Sequence, residues 1–175
     1  MNDTERLIRQ KVYAQVKIRA SQQAVWEVIS EPGNLNYCHP FCKSNYVEKW
    51  GGIGAIDFIE YYNGLCLKRI FIEWKEGKGY ELIIEKGKEA AAKVKWEIIP
   101  IKELESHLVI SIDILPSVVL KRYPKILRGI MSKLFLMPHM KSYVVSVVKG
   151  FKYYIETDTK VKFNQFGYNK MFSIR

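Results

Sequence analysis

The sequence predicts an α+β fold: a seven-stranded curved antiparallel sheet with two short N-terminal helices and a long C-terminal helix. Three observations predict it. Residues 43–115 read as apolar runs of strand length broken by glycine-bearing turns. The apolar period lengthens to three or four residues after Pro116. A strand and a serine-capped helix precede the meander. At 175 residues, 48% hydrophobic, the chain has the size and composition of one folded domain over 1–175, with a lead at 1–10 and a tail at 157–175.

The first strand follows from Val12, Ala14, Val16 and Ile18 alternating with Tyr13, Gln15 and Lys17, the period of a half-buried strand. Ser21 then stands where a hydroxyl accepts an orphan backbone N–H, ahead of Ala24, Val25, Val28 and Ile29 at helical spacing. Pro32-Gly33 stops that helix. A second helical turn over Asn34 to Tyr37 ends at His39-Pro40, because the residue before a proline is pushed out of the helical region.

Within the meander, Asn63-Gly64 is a hairpin signal, and a two-residue turn there sets Tyr62 against Leu65, Glu60 against Leu67 and Phe58 against Arg69. One face then carries Phe58, Glu60, Tyr62, Leu67, Arg69 and Phe71. Turns at 76–79 and 86–89 bound the next strand. Ala92, Val94, Trp96 and Ile98, then Leu108, Ile110, Ile112 and Ile114, alternate in the last two. Met140, Val144, Val147, Val148, Phe151 and Ile155 form the apolar stripe of the closing helix. Pro138 is expected to kink or break a helix running into it from upstream.

The stretch ASQQAVWEVISEPGNLNYCHPF, with its small-residue cap, Val-Trp pair and helix break before His-Pro, resembles the opening of the START-like or SRPBCC superfamily, which includes polyketide cyclase/dehydrase-like and coenzyme Q-binding proteins. Trp96 in KVKWEIIP is similar to the tryptophan-bearing strand of those proteins. The resemblance extends to residue 156. It implies a helix-grip fold with an internal apolar cavity and leaves the ligand open.

Candidate ligand-binding residues are Phe58, Tyr62, Leu67, Arg69 and Phe71 on the hairpin face, Trp96 and Ile112 on later strands, and Val144, Val148 and Phe151 on the helix. The same side chains would also serve simply to fill a core. Glu60 and Arg69 would be either a buried pair orienting a ligand or an ordinary solvated cross-strand pair. If the protein is an enzyme of the cyclase or dehydratase kind, His39, Glu60 or Arg69 would polarise the substrate.

Cys38, His39 and Cys42 lie close together, but no second Cys/His pair accompanies them, so neither a zinc site nor any cofactor is expected. Gly51-Gly52-Ile53-Gly54 precedes a strand and reads as a turn, not a phosphate cradle.

The net charge of +10 is uneven. Residues 121–175 carry twelve Lys or Arg against Glu156 and Asp158, and the remainder is balanced. Within that third, Lys121, Arg122, Lys125 and Arg128 mix with apolar residues including Leu134 and Phe135. This composition suits an interfacial helix on an anionic membrane, a gate over a cavity mouth, or a homodimer contact. No nucleic-acid motif accompanies the charge, and binding of an anionic macromolecule ranks behind these. The opening residues contain no apolar run of signal-peptide length, and the expected location is cytoplasmic, with peripheral membrane contact if the basic segment docks.

Overall fold

The computed structural model describes residues 9–174. Seven strands form one antiparallel sheet in the order β1-β7-β6-β5-β4-β3-β2. The strands are β1 (Gln10–Ile18), β2 (Cys42–Lys49), β3 (Ile56–Tyr61), β4 (Cys66–Lys75), β5 (Gly79–Lys86), β6 (Glu89–Lys102) and β7 (Glu105–Ile114). Helices α1 (Gln22–Ser30) and α2 (Leu35–Cys38) separate β1 from β2. After β7 come α3 (Pro116–Val119), α4 (Lys125–Met131) and α5 (Met137–Thr157). The fold class matches the sequence expectation.

Local chemistry accounts for the elements. Ser21 Oγ accepts the Ala24 N–H at 3.2 Å and starts α1, while Pro32 and Gly33, at φ 76°, follow its end. The second helix is placed one residue later than expected, and His39, extended at φ −105°, ends it before Pro40. Register irregularities between Phe71 and Glu73, Ile84 and Glu85, and Pro100 and Lys102 put an extra residue into one strand, which bends the sheet. The inward rows of β1, β6 and β7, from Val12 and Ala14 to Trp96, Ile98, Ile110 and Ile112, are buried against α5 through Val144, Val147, Val148 and Phe151.

Two expectations fail. The β3–β4 loop has three residues, not two: Tyr61 N–H donates to Leu65 O at 2.9 Å, and Gly64, at φ 82°, donates to Tyr61 O. The register therefore slips by one, setting Asp57 against Arg69, Ile59 against Leu67 and Glu60 against Cys66. A one-residue slip turns every side chain of the strand over. On β3, Asp57, Ile59 and Tyr61 are buried, not Phe58, Glu60 and Tyr62.

The helix also does not break at Pro138. A π-helical turn over Ser132–Leu136 joins α4 to α5 in one run, with the Met137 N–H bonded to Ser132 O. The widened turn relieves the clash a proline ring makes with the preceding turn of a regular α-helix. Ser132 Oγ anchors it to Gln10 Oε1 at 2.5 Å, and His139 Nδ1 lies 2.7 Å from Phe135 O.

Candidate functional site

The interior between sheet and α5 is unevenly filled. Around Trp26 the aromatic rings are close packed: Trp26 to Trp74 at 5.4 Å, Trp50 to Phe71 at 5.1 Å, Phe71 to Tyr80 at 5.0 Å and Trp96 to Phe151 at 4.8 Å. Beyond this plug the facing side chains are short. Ala92, Val94, Val144 and Val147 are among those lining a cavity of about 460 Å³. It extends toward the end of the sheet that carries the β3–β4 and β5–β6 turns, the 115–124 segment and the start of the long helical run.

The structure brings Leu67, Arg69, Trp96, Ile112 and Val144 to the cavity wall. Phe71, Val148 and Phe151 are buried away from it; Phe71 and Phe151 belong to the plug. Phe58 and Tyr62 are on the opposite face because of the register slip, where Phe58 stacks on Tyr46 at 4.7 Å and Tyr62 packs on Phe163 at 4.1 Å. Glu60 does not meet Arg69. It accepts from Lys43 Nζ at 2.7 Å and Ser44 Oγ at 3.0 Å on the outer surface, and these bonds hold its carboxyl below the usual range. Of the gate residues, Arg122 and Phe135 line the cavity. Lys121 pairs with Glu89 at 2.9 Å, and Arg128 Nε donates to Tyr123 O at 3.0 Å, bracing the segment before α4. Lys125 and Leu134 are exposed.

The polar wall lies on the β3–β4 side. Arg69 and Asp57 form a buried bidentate pair, with Arg69 Nε 2.6 Å from Asp57 Oδ1 and Nη2 on Oδ2. Asn45 Nδ2 supplies Asp57 Oδ2 with a further bond at 3.0 Å. Burial alone would lower the Arg69 pKa, but the charge of Asp57 and its hydrogen bonds outweigh this and raise it. Beside the pair runs a chain of hydrogen bonds. Phe41 N–H donates to His39 Nδ1 at 3.1 Å, His39 Nε2 meets Tyr143 Oη at 3.0 Å, and Tyr143 Oη meets Tyr61 Oη at 2.9 Å. Burial, helped by the charge of Arg69, lowers the His39 pKa to about 3, so the ring is neutral at physiological pH. Burial pushes the Tyr143 hydroxyl up to about 12 and the Tyr61 hydroxyl well above its ordinary value.

Sequence reasoning missed Tyr61, Tyr143 and the tail. Tyr143 sits three residues after Met140 and four before Val147, on the apolar stripe itself, and that spacing was the available signal. The tail runs along the body through Val161 N–H to Tyr37 O and Asn164 N–H to Pro40 O. Asn63 Nδ2 holds Met171 O at 2.7 Å, and Phe172 packs on Tyr61 at 4.6 Å and Tyr143 at 4.4 Å. Lys170, Met171 and Phe172 thereby line the cavity.

Cys38 and Cys42 are buried, and burial raises both thiol pKa values, that of Cys42 to about 12. Among the described residues, no three His, Cys, Asp or Glu side chains stand together as a metal-binding set, and no helix is long and apolar enough to cross a membrane.

By sequence the chain matches no family profile and no curated protein. By structure it is similar to TTHA0849 from Thermus thermophilus, at 18% identity over 83% of this chain and 97% of that one, with a TM-score of 0.65. The Aha1 dimer from Colwellia psychrerythraea gives 0.62 at 9% identity over 85% and 97% of the two chains. Norcoclaurine synthase from Thalictrum flavum, in complex with a transition-state analogue, gives 0.59 at 13% identity over 85% and 94%. The fold is the helix-grip fold. In this chain the space between the sheet and α5 is partly open.

Proposed function

We propose that this helix-grip protein binds an apolar small molecule or lipid between its sheet and α5, and that it exchanges this ligand with an anionic membrane surface. The cavity of about 460 Å³ carries the reading: its volume falls within the range of small-molecule sites, its wall is mostly aliphatic and aromatic, and its buried polar groups His39, Tyr61, Arg69 and Tyr143 lie together. Norcoclaurine synthase, of similar fold, has been seen in complex with a transition-state analogue, which supports small-molecule binding by this fold. A binder is favoured over a cyclase or dehydratase because neither the Glu60 carboxylate nor the His39 imidazole, which does line the cavity, stands free to act as a base. Glu60 faces outward, and both ring nitrogens of His39 are engaged, so neither is free to take a proton from a substrate.

The membrane part rests on the surface beside the cavity. Ile126 is 91% exposed and Leu134 75%, with Leu127 and Ile130 also exposed. From Leu115 to Ile155 the sequence contains no Asp or Glu, while Lys121, Arg122, Lys125, Arg128 and Lys133 flank or interrupt the apolar group along the chain. Aliphatic side chains entering the acyl boundary and cations meeting head groups are what such a surface offers.

Native mass spectrometry of the gently purified protein is expected to show a retained apolar molecule. An apolar fluorescent probe is expected to bind, and Ala92→Phe, which fills the cavity, to weaken it at least about tenfold without loss of fold. Failure of the unmodified protein to bind any apolar probe would overturn the cavity reading. Co-flotation is expected with phosphatidylserine vesicles and not with phosphatidylcholine, and to be lost in the Ile126→Asn, Ile130→Asn, Leu134→Asn variant. Flotation unaffected by these changes removes the membrane step.

A further inference from the structure

The side of the cavity formed by His39, Tyr61, Arg69 and Tyr143 permits a proton count. His39 Nδ1 accepts the Phe41 N–H and is therefore unprotonated, so in the neutral ring Nε2 carries the hydrogen and donates to Tyr143 Oη. The contact between the two phenols consumes one hydroxyl hydrogen. Two hydroxyl hydrogens are available, so one is left without a protein acceptor among the described residues. A chain in which each group accepts from one neighbour and donates to the next is reinforced along its length, which makes Tyr143 the donor to Tyr61 and leaves the spare hydrogen on Tyr61. Tyr61 is buried and lines the cavity, so the spare hydrogen has no route to bulk water except through that space.

Arg69 adds a second source of donors. Its bidentate pair with Asp57 uses two of five N–H groups, and the residue also lines the cavity. The charges balance: Asp57 matches Arg69, and His39 and both phenols are uncharged. A carboxylate placed here would be a buried ion without a net counter-charge, and an amine would be a donor facing donors. A neutral acceptor oxygen satisfies the spare donor at no charge cost.

We infer that the cavity receives a neutral carbonyl oxygen of an otherwise apolar ligand, hydrogen-bonded by the Tyr61 hydroxyl with the Arg69 guanidinium beside it. The inference rests on the cavity-binding reading and names the ligand class for it. Lys86, Arg122 and Lys170 also border the cavity but are solvent-exposed, and they do not enter the count.

The test compares four probes of equal carbon number on the full chain: decyl methyl ketone, dodecane, dodecylamine and dodecanoate. The ketone is expected to bind about fivefold more tightly than the alkane, the effect of one net hydrogen bond. Tyr61→Phe is expected to erase that increment, read as the ratio of ketone to alkane affinity within the same variant. The carbonyl stretch of the bound ketone is expected to lie below its value in hexane and to return to it in the variant. A ketone no tighter than the alkane, an increment that survives Tyr61→Phe, or a fatty acid or amine that binds more tightly through Tyr61 would each overturn the inference. An alkane that does not bind at all would instead sink the cavity reading beneath it.

Discussion

Asp57 and Arg69 face each other across the β3–β4 pair with both side chains almost fully out of solvent, at 0% and 5% exposure, and of the two Arg69 lines the cavity. Its guanidinium also lies 5.5 Å from the Phe71 ring, so one residue ties the polar wall to the aromatic plug. Removing one partner strands a buried charge. Asp57→Ala is expected to destabilise the protein by about 3–5 kcal/mol, whereas Asp57→Leu combined with Arg69→Met restores most of the loss, because well-packed apolar replacements remove both desolvation penalties. Urea unfolding of the two variants checks this. A double variant no better than Asp57→Ala would mean that the pair contributes net stability beyond its own desolvation cost.

Two helical glycines carry opposite expectations. A Cβ on Gly150 would stand 2.2 Å from Cys38 O and 3.1 Å from Pro40 Cδ, because α5 presses directly on the end of α2. A Cβ on Gly129 of α4 would meet nothing within 4 Å. Helix propensity favours alanine over glycine by about 1 kcal/mol at both sites. Gly129→Ala is expected to gain about that much. Gly150→Ala is expected to lose about 1–3 kcal/mol as the backbone contact is forced apart. Thermal melting that shifted both variants in the same direction would contradict the close approach of α2 and α5.

The strands on the β1, β6 and β7 side were legible because their apolar residues keep one parity, as Val12, Ala14, Val16 and Ile18 do. The β3 strand was not. In IDFIEYY both parities carry apolar groups and each carries one carboxylate, so periodicity could not tell Asp57 from Glu60. Only the loop length decides, and Asn63-Gly64 is compatible with two residues or three. That single residue displaced half of the expected hairpin site. The plug was invisible for a related reason: burial of Phe71 and Phe151 was readable, but which buried aromatics touch each other and which face empty space depends on contacts far apart in sequence. The continuous helix across Pro138 needed the π turn to make room, and no local propensity announces one. Phe172 entered the wall from the 157–175 tail, where the sequence offered neither an element nor a candidate site residue.

The His39 ring makes stability depend on pH in a defined window. Its pKa is about 6.5 in the unfolded chain and about 3 in the folded protein, so below pH 6.5 the unfolded state binds the extra proton and gains from it. Stability is therefore full above that value and falls as pH drops toward 3. Between pH 6.5 and 5.5 this group alone is expected to cost about 1 kcal/mol. The depressed carboxylates Glu60, Glu73, Glu105 and Glu156 stabilise the fold above their unfolded value near 4.5, and their contribution is lost mainly in more acid solution than this window. His39→Asn keeps an acceptor for the Phe41 N–H but has nothing to titrate. Urea unfolding at the two pH values should show the loss in the unmodified protein and a flat response in the variant. An equal slope in both would place the titrating group elsewhere and remove the neutral imidazole from the Tyr143 and Tyr61 chain.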